Sequence, residues 1–308
     1  MSSTDSKNIL ISGASGLIGT ALIESLSASG YRVFPLDRKR TNAPFTFNLA
    51  EGRVHLDDTV PLHGVINLAG ASIADGRWSN TRKQQIWNSR IRTTELLTDA
   101  LANLQHKPEV FISASAIGFY GNNRYEVADE SSNPGDDFLA RLSVAWEQAA
   151  DRATAAGIRT IKTRFGLVLS DKGGVLENLV LPMSLAVVGR LGDGNHLQSW
   201  ISIEDAVACI IKAIENESFS GPVNLVAPEV VSNDEFSRAL SYALGRPRLP
   251  ALPAAMVRLM FGELADAALL ASSNITSTRL NELGVSLRHP TLEQALKAIY
   301  GSATTNAE

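Results

Sequence analysis

Three glycines spaced three apart, Gly13, Gly16 and Gly19, stand between a short apolar run at 9–11 and a helix-compatible segment at 21–27. No other stretch limits the possible folds as tightly, because it demands a strand, a tight turn and a helix start in immediate succession. Gly13 can take the positive φ of a sharp turn, Gly16 lets the backbone approach a pyrophosphate, and Gly19 lets the helix pack close to the strand. The helix N-terminus then offers unpaired amides and a partial positive charge to phosphate. Opening a strand–helix–strand unit, the turn predicts a dinucleotide site with Gly13, Ser15, Gly16, Leu17 and Ile18 around the pyrophosphate. An ordinary strand–turn–helix is the competing reading of the same residues.

The segments that follow keep the strand–helix rhythm. A second strand at 32–36 ends in Asp37, Arg38, Lys39 and Arg40. Asp37 lies where dinucleotide folds place an acidic residue on the adenosine ribose, whereas Arg38 can pair with a 2′-phosphate. A solvated charge run at a strand end also fits these residues. A third strand is expected at 45–49, with Asn48 and Leu49 where an adenine ring can be edged. A fourth, at 64–67, ends in Asn67, Leu68, Ala69 and Gly70, small enough at the edge of a parallel strand for a ligand to lie across it.

From 79 to 104 the pattern is helical, with Trp87, Ile91, Thr94, Leu97, Leu101 and Leu104 on one face and Gln84, Gln85, Ser89, Arg90 and Arg92 on the other. A fifth strand at 110–113 runs into Ser113, Ser115 and the glycine-flanked Tyr120. Hydroxyls at the C-terminal end of a central strand are where proton transfer beside a nicotinamide can be built. Asp136 or Asp137 can cap a helix carrying Phe138, Leu142, Ala145, Trp146 and Ala149, and a sixth strand follows at 159–163. The alternation predicts a doubly wound parallel α/β sheet over 8–168.

Past residue 168 glycines and prolines break the rhythm, so 169–300 reads as a smaller appended domain, with part of 198–226 available to the sheet. Ser202 with Asp205, and Ser232 with Glu235, resemble capping boxes. Helices are expected at 253–270 and 291–300. A chain of 308 residues, 44% of them hydrophobic, has ample material for such a core. Its net charge of −4 gives no basic field, so neither nucleic acid nor an anionic membrane is expected as a main partner. The apolar stretch at 179–188 is broken by Pro182 and Ser184, too short for a membrane span, and a cytoplasmic location is the default expectation. One cysteine, Cys209, excludes an internal disulfide, and the five histidines lack metal-ligand spacing, so no metal site is expected.

Taken together, the glycine turn, the 67–70 turn and the serine-bearing strand leading to Tyr120 and Gly121 resemble the extended short-chain dehydrogenase/reductase superfamily, with its Rossmann-type sheet. More narrowly, Asn67 to Ile73, Arg77 with Trp78, Ser89 with Arg90, Ser113 to Gly121, Trp146 with Glu147, and Ser199 to Ile201 resemble its NAD-dependent epimerase-like subfamily with a C-terminal domain of its own. The resemblance spans about residues 8–300. It implies NAD or NADP held by residues 13–19, Asp37, Arg38, Leu68, Ala69 and the loop near Val168, with Gln85 and Arg90 facing the cofactor. Gly70, Asn48, Leu49 and Ser113 complete the expected cofactor contacts.

Two departures stand out. Relatives tend to carry Thr or Ser where this chain has Asp37, which tilts the expectation slightly to NAD. The superfamily's Tyr-x-x-x-Lys is missing, and counting back from Glu147 puts Leu139 and Ser143 in those places. The expected function is therefore an NAD(P)-dependent oxidoreductase or epimerase on a small carbonyl, hydroxyl or sugar-nucleotide-like substrate. Ser115 would hydrogen-bond the substrate oxygen, with Tyr120 as substitute acid and Arg90 as a neighbouring cation. A non-catalytic dinucleotide-binding redox sensor or scaffold is the alternative.

Overall fold

A computed structural model describes residues 7–36, 43–173 and 188–301. Strand β1 (Asn8–Ser12) feeds the glycine turn and α1 (Leu17–Ala28), after which come β2 (Arg32–Pro35), β3 (Phe45–Asn48), β4 (Arg53–Leu56) and β5 (Gly64–Asn67). Next follow α2 (Asn80–Asn88), α3 (Ile91–Ala102), β6 (Val110–Ala116), β7 (Asn123–Ala128), α4 (Phe138–Ala155), β8 (Arg159–Phe165) and β9 (Leu167–Leu169). Six strands form the central sheet in the order Gly221–Leu225, β8, β6, β5, β1, β2, every pair parallel. The winding reverses at β1, and open sheets of this kind take ligands in the crevice beyond the strand ends at that point.

Successive residues of each strand face opposite layers, and both layers are covered. Ile9, Ile11, Ile66, Ile112 and Ile161 pack with Leu22 and Leu26 of α1 and with Val207, Ile210 and Ile214 of the helix Ile203–Glu215. Leu10, Val65 and Phe111 pack instead with Leu97 and Leu101 of α3 and Ala150 and Ala153 of α4. Burial on both faces explains why the strands read as continuous apolar runs rather than alternating ones. Each fully buried Ile or Leu contributes about 1.5–3 kcal/mol.

The sequence expectations are refined in four places. The strand at 45–49 does not join the central sheet: β3 pairs antiparallel with β4, Phe45 opposite Leu56, and its inward Phe45 and Phe47 cap the layer formed by Leu10 and Val65. The turn between the two strands closes through Asn48 Oδ1, which accepts from Glu51 N at 3.1 Å, and Gly52 at φ +62°. The single helix expected over 79–104 is broken at Ser89 and Arg90 into α2 and α3. The sheet's outermost strand beyond β8 is Gly221–Leu225, inside the 198–226 stretch. Finally, the helix expected at 253–270 stops at Phe261, where Gly262 turns at φ +61°.

Capping follows the sequence where side chains allow. Asp137 caps α4, accepting from Ala140 N at 2.8 Å. Ser232 and Glu235 form a complete capping box, whereas Asp205 turns its carboxylate away from Ser202 N to accept from Arg288 N at 2.6 Å and His289 N at 3.0 Å. The C-terminal part pairs Ser273–Ile275 with β7 in a separate two-stranded sheet beside the central one. Glu130 accepts there from Asn224 N, Ser277 Oγ, Thr278 N and Thr278 Oγ1 at 2.6–3.0 Å. Among the described residues no helix is long and apolar enough to cross a membrane.

Candidate functional site

The glycine turn sits at the C-terminal end of β1, and each of its glycines answers to a different constraint. Gly13 has φ +73°, and a Cβ there would lie 2.6 Å from Leu68 O, so the 68–69 turn is packed directly on it. A Cβ on Gly19 would strike the Gly13 carbonyl and come within 2.9 Å of Ala14 Cα. Gly16 differs: its φ of −79° suits any residue, and a Cβ would meet only Gly13 O, at 3.3 Å. Within the protein only that carbonyl presses on a side chain at position 16. What it leaves is an open backbone surface at the start of α1, whose N-terminus has no side-chain cap. That combination fits a pyrophosphate resting on the first amides of the helix. Ser15 and Gly16 are exposed there, with Leu17 and Ile18 half-buried behind them.

Beyond the turn a cavity of ≈ 410 Å³ opens over the ends of β6 and β8. Ile18, Leu68, Ser115, Leu139, Ser143 and Gly166 are among its lining residues. Leu139 and Ser143, where the resemblance leads one to expect a tyrosine and a lysine, both line the cleft. Arg90 also lines the cleft, but it is held by the protein: Nη1 donates to Ala71 O at 2.9 Å and Ile86 O at 3.3 Å, and the guanidinium lies 5.2 Å from the Trp146 ring centroid. A Cβ on Gly70 would be 3.0 Å from Arg90 Cζ, so Gly70 makes room for the guanidinium. Burial, and then the charge of Arg82, pull Arg90 down to about 10, which leaves it protonated at neutral pH.

Behind Ser115 runs a buried polar chain. Ser115 Oγ donates to Glu147 Oε1 at 2.7 Å, and Glu147 takes a two-pronged contact from Arg164, Nε to Oε1 at 2.7 Å and Nη2 to Oε2 at 2.9 Å. Arg164 Nη1 donates to the Tyr120 hydroxyl at 2.8 Å, which donates to Asn224 Oδ1 at 2.7 Å. Burial pulls the Arg164 guanidinium down, yet the hydrogen bonds and charge of Glu147 outweigh it and hold the group above its ordinary value. The guanidinium also stacks 3.5 Å from the Phe119 ring centroid.

This chain corrects the expectation for Tyr120. The phenol is 6% exposed, its proton is engaged by Asn224, and it points to the buried network instead of the cleft that Ser115 lines. Burial pushes it up to about 12 against the opposing pull of Arg164 and Asn224. Its cationic neighbour is Arg164, not Arg90. The raised value makes the neutral phenol a stabilising group: that contribution is complete below the ordinary phenol value near 10 and is lost as the pH climbs through about 12. Tyr120→Phe is accordingly expected to cost about 1–3 kcal/mol in urea unfolding, by stranding Asn224 and Arg164. Turnover is expected to fall less than about tenfold, short of the 10²-fold loss that removal of a general acid gives.

The remaining predicted contacts are dispersed. Ser113 is buried, paired in register with Asn67. Gln85 is exposed and accepts from Arg82 Nη1 at 3.2 Å, outside the cleft lining. Asn48 and Leu49 lie at the tip of the β3–β4 hairpin. Past β8 the chain reaches the cleft through Gly166 and Leu167, while Val168 pairs with Ile201. Asp37 and Arg38 lie outside the described residues. Glu147, Arg164 and Asn224 were missed by the sequence reading. The available signal was a charge in an otherwise core-facing pattern, Arg164 within a buried strand and Glu147 beside Trp146 on the inner face of α4.

Comparison with known proteins agrees with this geometry. Residues 9–226 match the NAD dependent epimerase/dehydratase family, and residues 252–299 match a Domain of unknown function, DUF1731. An epimerase family protein of Mycobacterium leprae is 39% identical over 290 residues, covering 94% of each chain. The crystal structure of a human epimerase family protein with NADPH superposes with a TM-score of 0.85 at 31% identity, covering 95% of this chain and 99% of that one. A nucleoside-diphosphate sugar epimerase from Corynebacterium glutamicum gives a TM-score of 0.76 at 30% identity, over 96% of this chain and 59% of its own. With the glycine turn, the six-stranded parallel sheet and these matches in agreement, the chain belongs to the NAD dependent epimerase/dehydratase family.

Proposed function

We propose that this chain is an NAD(P)-dependent oxidoreductase or epimerase acting on a hydroxyl or carbonyl group of a small-molecule substrate. The observation that carries the reading is the position of Ser115, at the end of β6 among the residues lining the same cleft as Ile18 of α1. Bound across the glycine turn, the dinucleotide would supply the hydride chemistry through its nicotinamide. Residues 13–19, with Leu68 and Ala69 against Gly13, would hold it.

Ser115 has one proton, and Glu147 takes it. Towards the cleft the serine oxygen is therefore an acceptor, suited to the hydroxyl of an alcohol. The Ser115–Glu147 pair gives that hydroxyl's proton a route into the buried chain, with Arg164 fixing the carboxylate. Ser115→Ala is expected to lower turnover roughly 10²-fold with cofactor affinity unchanged, read from NAD(P)H absorbance with a panel of alcohols and carbonyls and from cofactor titration. Full activity in Ser115→Ala would remove the serine from the mechanism.

A second reading, a non-catalytic dinucleotide-binding protein, is favoured by Leu139 and Ser143 facing the cleft in place of Tyr and Lys. A wild type inert towards the whole panel would support it. For the cofactor itself, an ionised Asp37 accepts ribose hydroxyls and crowds a 2′-phosphate, which favours NAD. The human relative, crystallised with NADPH, points the other way. Titration with NADH and NADPH decides between them, and tighter NADPH binding overturns the preference for NAD.

A further inference from the structure

Helix α4 runs past the end of β6, and two contacts fix its position there. Near its start Leu139 packs against the turn that follows the strand, where a Cβ on Gly118 would lie 3.3 Å from Leu139 Cβ. Two turns further on, Glu147 accepts from Ser115 Oγ at 2.7 Å. Residues four apart share a helix face, so Ser143 stands between these contacts, about 6 Å along the axis from Leu139 and from Glu147. It is 3% exposed and lines the cleft together with Ser115.

The hydroxyls of this cleft differ in what the protein leaves them. Ser115 gives its proton to Glu147, and Ser199 gives its own to Ser273 O at 2.9 Å. Ser273 Oγ donates to Leu197 O at 3.4 Å, and Ser272 Oγ accepts from Leu197 N at 2.9 Å. Among the described residues Ser143 Oγ has neither donor nor acceptor. Nor is it sealed off: the buried side-chain atoms that lack both a partner and accessible surface belong to other residues, so the Ser143 oxygen keeps surface that the cleft provides. A buried hydroxyl without a partner costs free energy, which a ligand oxygen placed against it recovers. Unlike Ser115, Ser143 has a proton to give.

We infer, building on the reading of the cleft as a substrate site, that Ser143 is a specificity residue that donates to a second oxygen of the substrate. The compound taken up is then a hydroxy carbonyl, its hydroxyl meeting Ser115 and its carbonyl oxygen meeting Ser143.

Saturation-transfer NMR on the NADPH-loaded protein tests it with three matched pairs: acetoin and 2-butanol, 2-hydroxycyclohexanone and cyclohexanol, 2-hydroxyacetophenone and 2-phenylethanol. In at least one pair the hydroxy carbonyl is expected to bind about fivefold more tightly than its alcohol, and Ser143→Ala to erase that margin with alcohol and NADPH affinities unchanged. A second readout needs no ligand. Removing a hydroxyl that the fold does not use is expected to leave the urea midpoint equal or higher, whereas loss of one bonded within the protein lowers it. Equal binding within all three pairs, a preference that survives Ser143→Ala, weaker NADPH binding in that variant, or a lowered midpoint overturns the inference. So does failure of every hydroxy carbonyl to bind. Product signals in the same spectra report turnover, so the two readings fail separately. Hydroxy carbonyls bound through Ser143 without product remove the oxidoreductase and leave this inference; turnover of the simple alcohols, indifferent to Ser143→Ala, with no preference for the hydroxy carbonyls, does the reverse.

Discussion

Glu147→Ala is expected to destabilise the protein by about 3–5 kcal/mol, the cost of leaving a buried charge without its partner. Arg164 and Glu147 are 3% and 6% exposed, and the substitution deprives the guanidinium of both of its carboxylate contacts. Ser115 loses the acceptor for its proton in the same step. Urea unfolding monitored by circular dichroism reads the loss as a fall in midpoint at unchanged slope. The double substitution Glu147→Leu with Arg164→Met removes the pair as a unit and is expected to recover much of the loss, because packed apolar groups replace a desolvated ion pair at little cost. If the single and double variants were equally destabilised, packing volume and not the stranded charge would be responsible.

Gly16→Val is expected to reduce dinucleotide affinity by at least about 100-fold, roughly 2.7 kcal/mol, while leaving the fold nearly intact. The prediction is sharp because the protein itself sets only a mild constraint at position 16: its φ is −79° and a Cβ would press on Gly13 O alone, at 3.3 Å. Loss of the glycine N-cap costs α1 at most about 1 kcal/mol. Gly13→Ala provides the contrast, since φ +73° and the 2.6 Å approach to Leu68 O make that change structural. Fluorescence titration with NADH and NADPH, beside thermal unfolding, separates the two effects. Undiminished binding by Gly16→Val would move the pyrophosphate away from the helix N-terminus.

What the sequence made legible was whatever local chemistry decides. The glycine spacing, the apolar runs buried on both faces and the caps at Asp137 and Ser232 each depend on neighbours within a few residues, so pattern alone identified them. The misread parts depend on distant partners. Phe45 and Phe47 alternate like any strand, and only their packing on Leu10 and Val65 puts them outside the main sheet. The break at Ser89 and Arg90 serves the 70–73 turn, to which Ser89 Oγ and Arg90 Nη1 both bond. Tyr120 looked available because its sequence neighbours are small. Arg164 and Asn224, 44 and 104 residues away, are what enclose it.

The carboxylate of Glu130 has a consequence for how the molecule comes apart. It gathers Asn224 N from the outermost sheet strand with Ser277 Oγ and Thr278 N from the C-terminal part, while Asn224 Nδ2 donates to Thr276 O at 2.8 Å. Fraying of the C-terminal segment would therefore expose the edge of the sheet and release Asn224, which also holds Tyr120. The two regions form one cooperative unit in local opening. Slow amide exchange at Ile275 should rise and fall with that at Val223 and Leu225, and a ligand seated against Ser115 should slow all three together.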